Sequence, residues 1–120
     1  MKKSSKYVSA FVIPVPKKKL TSYQKIAKLS AKLWLEHGAI EYTECMSDDI
    51  QKGKVTSWPQ SAKLKSGEVL FLNWVTFKSA KHCEQVMNKV MNDPRMSEMD
   101  EMPFDGMRMF WGGFKTMINL

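Results

Sequence analysis

Glu41, Glu44 and Cys45 fall within one short segment, and Asp105 and Arg108 lie three residues apart near the other end of the chain. These are the residue types that move protons or anchor polar ligands. On a strand, Glu41 and Glu44 point to opposite faces. If either face is covered, one carboxylate turns inward, where it must be paired or protonated because an unpaired buried charge is costly. An inward Glu44 beside Arg108 reads first as a structural ion pair and second as the polar anchor of a ligand pocket. No partner acid for a general base is identifiable from spacing. Asp105-Gly106 alone reads as turn chemistry. His37, just before Gly38, suits a helix C-terminus, where its protonated form complements the dipole. His37 and His82 have no ligand spacing, and Cys45 and Cys83 form no CxxC pair, so no metal site is expected. The chain has no Gly-rich phosphate loop and no nucleophile elbow.

The elements that must position these residues follow from periodicity. Tyr7 to Val15 is β-branched and aromatic, is closed by Pro16, and predicts strand one. Leu20 to His37 predicts a helix: Tyr23, Ile26, Ala27, Ser30, Leu33, Trp34 and His37 share one face, Lys25, Lys28 and Lys32 the other. Gly38 ends it. Ala39 to Met46 alternates as strand two, with Ile40, Tyr42 and Glu44 on one side and Glu41, Thr43 and Cys45 on the other. Asp48 to Gly67 is a polar excursion, too long for a tight hairpin, that pairs briefly at Lys54 to Ser57. Val69 to Phe77 is strand three, apolar on both faces and therefore central. Ser79 caps a second helix reaching about Asn92, with Cys83, Val86, Met87, Val90 and Met91 buried, and Asp93-Pro94 stops it. Arg95 to Met102 is a connector. Met107 to about Ile118 is strand four, in which the pair Gly112-Gly113 predicts a bulge or bend that brings Trp111 and Phe114 to a surface.

The order β-α-β-β-α-β predicts an α+β fold: a ferredoxin-like split βαβ, four antiparallel strands with both helices on one sheet face. Its other face then needs cover. A second copy packed face to face about a two-fold axis is the simplest cover and makes a dimeric α+β barrel.

The 120 residues make one domain, 1–120, with one core, and 43% hydrophobic with 26% charged residues is ordinary for a soluble globular protein. The net charge of +7 raises nucleic acid as a partner. Lysine carries nearly all of it, much in the clusters Lys2, Lys3, Lys6 and Lys17-Lys18-Lys19, and the only arginines are Arg95 and Arg108. Arginine is the better reader of bases and phosphates, so a solvated lysine surface is preferred. The N-terminal lysines and Val8 to Val15 imitate a signal peptide, but Pro14, Pro16 and the triple lysine interrupt the pattern. No apolar run approaches the roughly 18 residues of a membrane span. A cytoplasmic location with two free thiols is therefore expected.

The segments Phe11-Val12-Ile13-Pro14-Val15-Pro16-Lys17-Lys18, Glu36 through Cys45, Gly53 through Gln60, and Met102-Pro103-Phe104-Asp105-Gly106 through Gly112-Gly113-Phe114 resemble, in order, a bacterial family of uncharacterised proteins, the domain of unknown function 1428. The resemblance implies the dimeric α+β barrel superfamily. It implies no established activity; no cofactor is expected. The superfamily contains cofactor-independent monooxygenases, haem-degrading enzymes, isomerases and plain ligand binders, so function follows from it by analogy only. Haem-degrading members use an Asn, a Trp and a His. Asn73, Trp74 and His82 imitate that set, but strand one carries Ser9 where the Asn belongs, and Asn73 and Trp74 point to opposite faces.

The favoured function is a small-molecule-binding homodimer, with a monooxygenase-like enzyme as its catalytic form, acting on a small apolar or aromatic metabolite. The expected pocket wall is Tyr23, Trp34, Tyr42, Trp58, Trp74 and His82, with Glu44 and Arg108 as polar anchors and a neutral His or Tyr polarising the guest. A non-enzymatic structural or stress-related dimer is the rival, and a lysine-driven nucleic-acid binder stands third. Eight of the ten methionines lie between Met87 and Met117. They read first as core filling and second as an adaptable apolar wall.

Overall fold

The computed structural model describes residues 6–99 and 102–120, apart from the Glu98 side chain. Lys2 and Lys3 of the first lysine cluster, and positions 100–101 of the connector, lie outside the described residues.

Strand β1 (Tyr7–Pro16) leads through a 3-10 turn at Lys17–Lys19 into α1 (Leu20–Glu36). Strand β2 (Glu41–Met46) follows, then a short α2 (Trp58–Ala62), β3 (Glu68–Phe77), α3 (Ala80–Met91) and β4 (Phe110–Lys115). The sheet is antiparallel throughout, in the order β2-β3-β1-β4. The long strands β1 and β3 are central because β-branched and aromatic residues on both faces can be buried there. Helix α1 ends where Gly38 takes φ 116°, a conformation that costs glycine nothing, and the Gly38 and Ala39 amides close on Leu35 and Trp34 carbonyls. Ser79 caps α3 by accepting the His82 amide at 3.0 Å.

Both long helices pack on the face that carries the odd-numbered residues of β1 and β3. One cluster joins Leu33 and Trp34 of α1 and Val86 and Val90 of α3 to Val75 and Phe77. A second joins Tyr23 to Ile13, Val15 and Phe71. Fully burying such side chains contributes about 1.5–3 kcal/mol each.

The other sheet face was expected to need a second copy for all of its cover. The chain itself covers one end, where Ala62 of α2 seats on Val12 and Leu70, flanked by Ile50, Leu64 and Leu72. No strand forms at Lys54 to Ser57; instead Ser57 caps α2 by accepting the Gln60 amide, and Pro59 sits in its first turn. The rest of this face carries half-buried Trp74 and exposed Phe110 and Phe114, which are 42% and 60% accessible.

The expected bulge in β4 does not form. Pairing to β1 runs unbroken from Phe110 opposite Val12 to Lys115 opposite Tyr7, and neither glycine has positive φ. The room that Gly113 leaves is filled by the Tyr7 side chain, which crosses from the neighbouring strand to where a Cβ would stand. Cover of an edge-strand glycine by an aromatic residue explains the glycine without any backbone irregularity.

Candidate functional site

Alternation along β2 turns Tyr42 and Glu44 toward the helices, and Tyr23 and Ser30, two helical turns apart, share the sheet-facing side of α1. The four side chains meet over β3. Tyr23 Oη donates to Glu44 Oε1 at 2.6 Å, and Tyr42 Oη donates to Glu44 Oε2 at 2.6 Å. Asn73 Nδ2 donates to Tyr23 Oη at 3.1 Å. Ser30 Oγ lies 3.2 Å from Tyr42 Oη. Because the single Tyr42 proton is committed to Glu44, Ser30 is the donor in that last pair.

Every proton in the network thus runs toward one carboxylate, and hydrogen bonds to a carboxylate are charge-assisted. Burial, then the Glu44 hydrogen bond, holds the Tyr23 phenol well above the ordinary tyrosine range. Burial, then the Glu44 charge, does the same for Tyr42. Both phenols stay protonated donors at any physiological pH. Asn73 is completely buried, and its Oδ1 has no partner among the described residues. The amide cannot be turned to help it, since Tyr23 Oη, having given its proton to Glu44, needs the Asn73 N–H.

Glu44 borders two clefts. One, of about 300 Å³, is open and is walled by Tyr23, Tyr42 and Phe71, with exposed Gln24 and Lys28 among its lining residues. The other, of about 180 Å³, is apolar and is lined by Phe11, Ile13, Met96, Met99, Phe104 and Met109, among others. A third hollow, of about 320 Å³, shares Phe11, Ser30, Met96 and Met109 with it and continues to Trp34, Met87 and Trp111. Between sheet and helices there is therefore a methionine- and aromatic-lined space with a fixed carboxylate at one end, a layout characteristic of small-molecule sites. The connector after α3 supplies Met96 and Met99, and Met109 stands just before β4.

The residues singled out from the sequence are distributed as follows. Tyr23, Tyr42 and Glu44 come together, and Trp34 lines the third hollow while packing edge-on against Phe77. Trp58 and Trp74 belong to the opposite sheet side: Trp58 lines a surface hollow with Cys45, Met46 and Leu72, and Trp74 pairs in register with Ala10 and Thr43. His82 serves the start of α3, where its Nδ1 accepts the Lys78 amide at 3.0 Å and its ring meets the Phe77 ring edge-on. Arg108 does not meet Glu44. It makes a two-pronged pair with Glu68 at 2.8 and 2.6 Å and also reaches Asp105 and the Lys63 carbonyl. That guanidinium holds the Glu68 carboxyl below the usual carboxylate range.

His37 occupies the C-cap of α1, and its Nε2 lies 2.8 Å from Asp93 Oδ2. Arg95 grips the same carboxylate and Glu36, binding the ends of α1 and α3 together. Among the described residues no group of three or more His, Cys, Asp and Glu gathers as a metal site. Cys45 is exposed, Cys83 is buried, and both are free. Asn73, Ser30 and Phe11 were not among the expected site residues. The signal for Asn73 was present, as the one amide on the inner face of an otherwise apolar strand.

The fold defines an α+β domain: a four-stranded antiparallel sheet with two long helices over one face and a carboxylate-ended apolar space between them. No helix among the described residues is long and apolar enough to cross a membrane. The chain belongs to the family described as protein of unknown function (DUF1428), whose model matches residues 6–106. It is 39% identical over 115 residues to the uncharacterised protein YbaA of Escherichia coli (strain K12), covering 95% of this chain and 98% of the relative. YbaA of Shigella flexneri matches to the same extent. Among solved structures, the de novo designed protein Foldit4 aligns over 95% of this chain and 99% of its own length, with 11% identity and a TM-score of 0.44.

Proposed function

We propose that the chain is one ferredoxin-like domain that pairs with a second copy through the sheet face opposite the two long helices and binds a small apolar or aromatic molecule between sheet and helices. The observation that carries the binding reading is Glu44, held by two phenols at 2.6 Å each and bordering a cleft walled with methionine and aromatic rings. A core built only for stability gains little from a carboxylate there. Pairing is supported by Phe110 and Phe114, exposed beside Trp74 on a face that α2 covers only at one end. Such an interface is expected to bury about 1,500 Å² or more in total. A stable folded monomer seen by sedimentation at micromolar concentration would remove the pairing half of the proposal.

The catalytic form of the reading is cofactor-free, monooxygenase-like conversion of the guest. In that form the polarising role expected of a His or Tyr is unfilled, because His82 lines none of the three hollows and Tyr23 and Tyr42 give their protons to Glu44. The same placement favours the second reading, a non-enzymatic dimer, since it leaves Glu44 without a histidine partner. Nucleic acid stays outside the proposal because both arginines are spent on carboxylates, Arg95 on Asp93 and Glu36, and Arg108 on Glu68 and Asp105. A cytoplasmic location belongs to the proposal and rests on the free cysteines.

The binding half is tested by methyl NMR of the methionines during titration with phenethyl alcohol. The Met96 and Met109 methyls should shift, while Met107 and Met117, both more than 90% exposed, should not. No shift at Met96 or Met109 up to the solubility of the alcohol would refute it.

A further inference from the structure

The polar end of the chamber has an excess of acceptors. Glu44 takes one phenolic proton on each oxygen, and each oxygen keeps a further lone pair. Asn73 Oδ1, buried behind Tyr23 and outside the lining of either cleft, has no donor among the described residues. The two phenols, which could have held an anion, have already given their only protons to Glu44. A guest that reaches this end therefore meets the Glu44 carboxylate, with exposed Gln24 and Lys28 also lining the open cleft.

We infer that the guest is an organic ammonium, a small molecule with an apolar or aromatic body and a protonated amine head directed at Glu44. This rests on the reading of the chamber as a ligand site and names the chemical class that the site takes. An ammonium supplies up to three donors and a full positive charge, so its bond to Glu44 is charge-assisted. A neutral hydroxyl supplies one donor and no charge. The rings of Tyr23, Tyr42 and Phe71, which wall the open cleft, add cation–π attraction. The body then lies toward Phe11, Met96 and Met109, where thioethers adapt to its shape. Lys28 also borders the open cleft and is exposed, so its charge is screened by solvent.

Three probes share one body and differ only in the head: phenethylamine, phenethyl alcohol and hydrocinnamate. Titrated into the full chain at neutral pH and followed by calorimetry and methionine-methyl NMR, phenethylamine should bind about tenfold tighter than the alcohol, because the ammonium adds its own charge and further donors to the single hydrogen bond that a hydroxyl can give the same carboxylate. Hydrocinnamate should be the weakest. Glu44→Gln should abolish the preference for the amine, weakening the amine by about tenfold more than it weakens the alcohol. Alcohol or carboxylate binding as tightly as the amine, in the same chamber, overturns the amine class while leaving the ligand site standing. The same holds if the amine preference survives in Glu44→Gln. Failure of all three probes to shift Met96 or Met109 overturns both. The comparison among probes needs only the unaltered protein, so poor folding of the variant cannot shield the inference.

Discussion

Gly113→Val is expected to destabilise the protein through a single side chain on the neighbouring strand. Gly113 sits opposite Ser9 on β4, and a Cβ there would fall on the Tyr7 hydroxyl and 2.7 Å from its Cζ. Two outcomes are open to the variant. If the ring stays, valine is overpacked at a cost of about 1–3 kcal/mol. If the ring swings out, Tyr7, which is half-buried against the main core cluster, forfeits about half of the 1.5–3 kcal/mol that full burial would bring. Valine returns at most about 1 kcal/mol through its preference for strands. The variant takes the cheaper course, so the net loss is up to about 1.5 kcal/mol, a fall in Tm of up to about 6 °C. A double-mutant cycle with Tyr7→Ala isolates the cause, because the two side chains touch and should not add. In the Tyr7→Ala background, Gly113→Val should be neutral or stabilising by a few tenths of a kcal/mol. Urea unfolding of the four proteins reads the cycle. Equal destabilisation in both backgrounds would show that the glycine serves some need other than Tyr7, and the account given of β4 would be wrong.

Tyr23→Phe removes the donor to Glu44 Oε1 and the acceptor for Asn73 Nδ2 together, so it should cost about 1–3 kcal/mol in denaturant unfolding; a loss within error would show that the pair is replaced by water at no cost. Tyr23 and Tyr42 are raised in the folded state, so their stabilisation is full below the unfolded tyrosine pKa and is lost as pH rises beyond it; tyrosinate absorbance from these two should appear only as the protein unfolds in alkali. Asp93 is depressed, first by Arg95 and then by His37, so its contribution is full above the unfolded carboxyl value and declines as pH falls through the acid range; Asp93→Asn should flatten that limb of the stability profile.

Most of the fold is legible because local signals agree with the global arrangement. The two apolar faces of Val69 to Phe77 place β3 in the sheet interior, Gly38 and Ser79 mark helix ends, and Asp93-Pro94 closes α3. What escaped has physical reasons. Helix α2 is only five residues long, too short for periodicity, although Ser57 followed by Pro59 was an N-terminal signature in plain view. The Gly112-Gly113 pair suggests a bulge to any local reading; its partner Tyr7 is remote in sequence, and only the β1–β4 register brings them together. Arg108 and Glu68 are 40 residues apart, so no spacing rule could choose Glu68 over Glu44. Alternation put Glu44 and Tyr42 on one face of β2 and periodicity put Tyr23 on the inner face of α1. Their convergence required the tertiary placement of the helix over the strand.

Strand β1 lies between β3 and β4, so the first strand of the sheet is completed by the last. During synthesis β1 pairs with β3 once residues up to 77 have emerged, but its other edge stays open until residues 110–115 follow. Throughout that interval a nine-residue run from Tyr7 to Val15 with no charge on it presents unpaired amides and carbonyls, a template for strands of other chains. The nascent protein is thus most exposed to misassembly in the stage between α3 and β4. A chain stalled or cut before Phe110 should partition into aggregates even though its helices and three of its strands are in place.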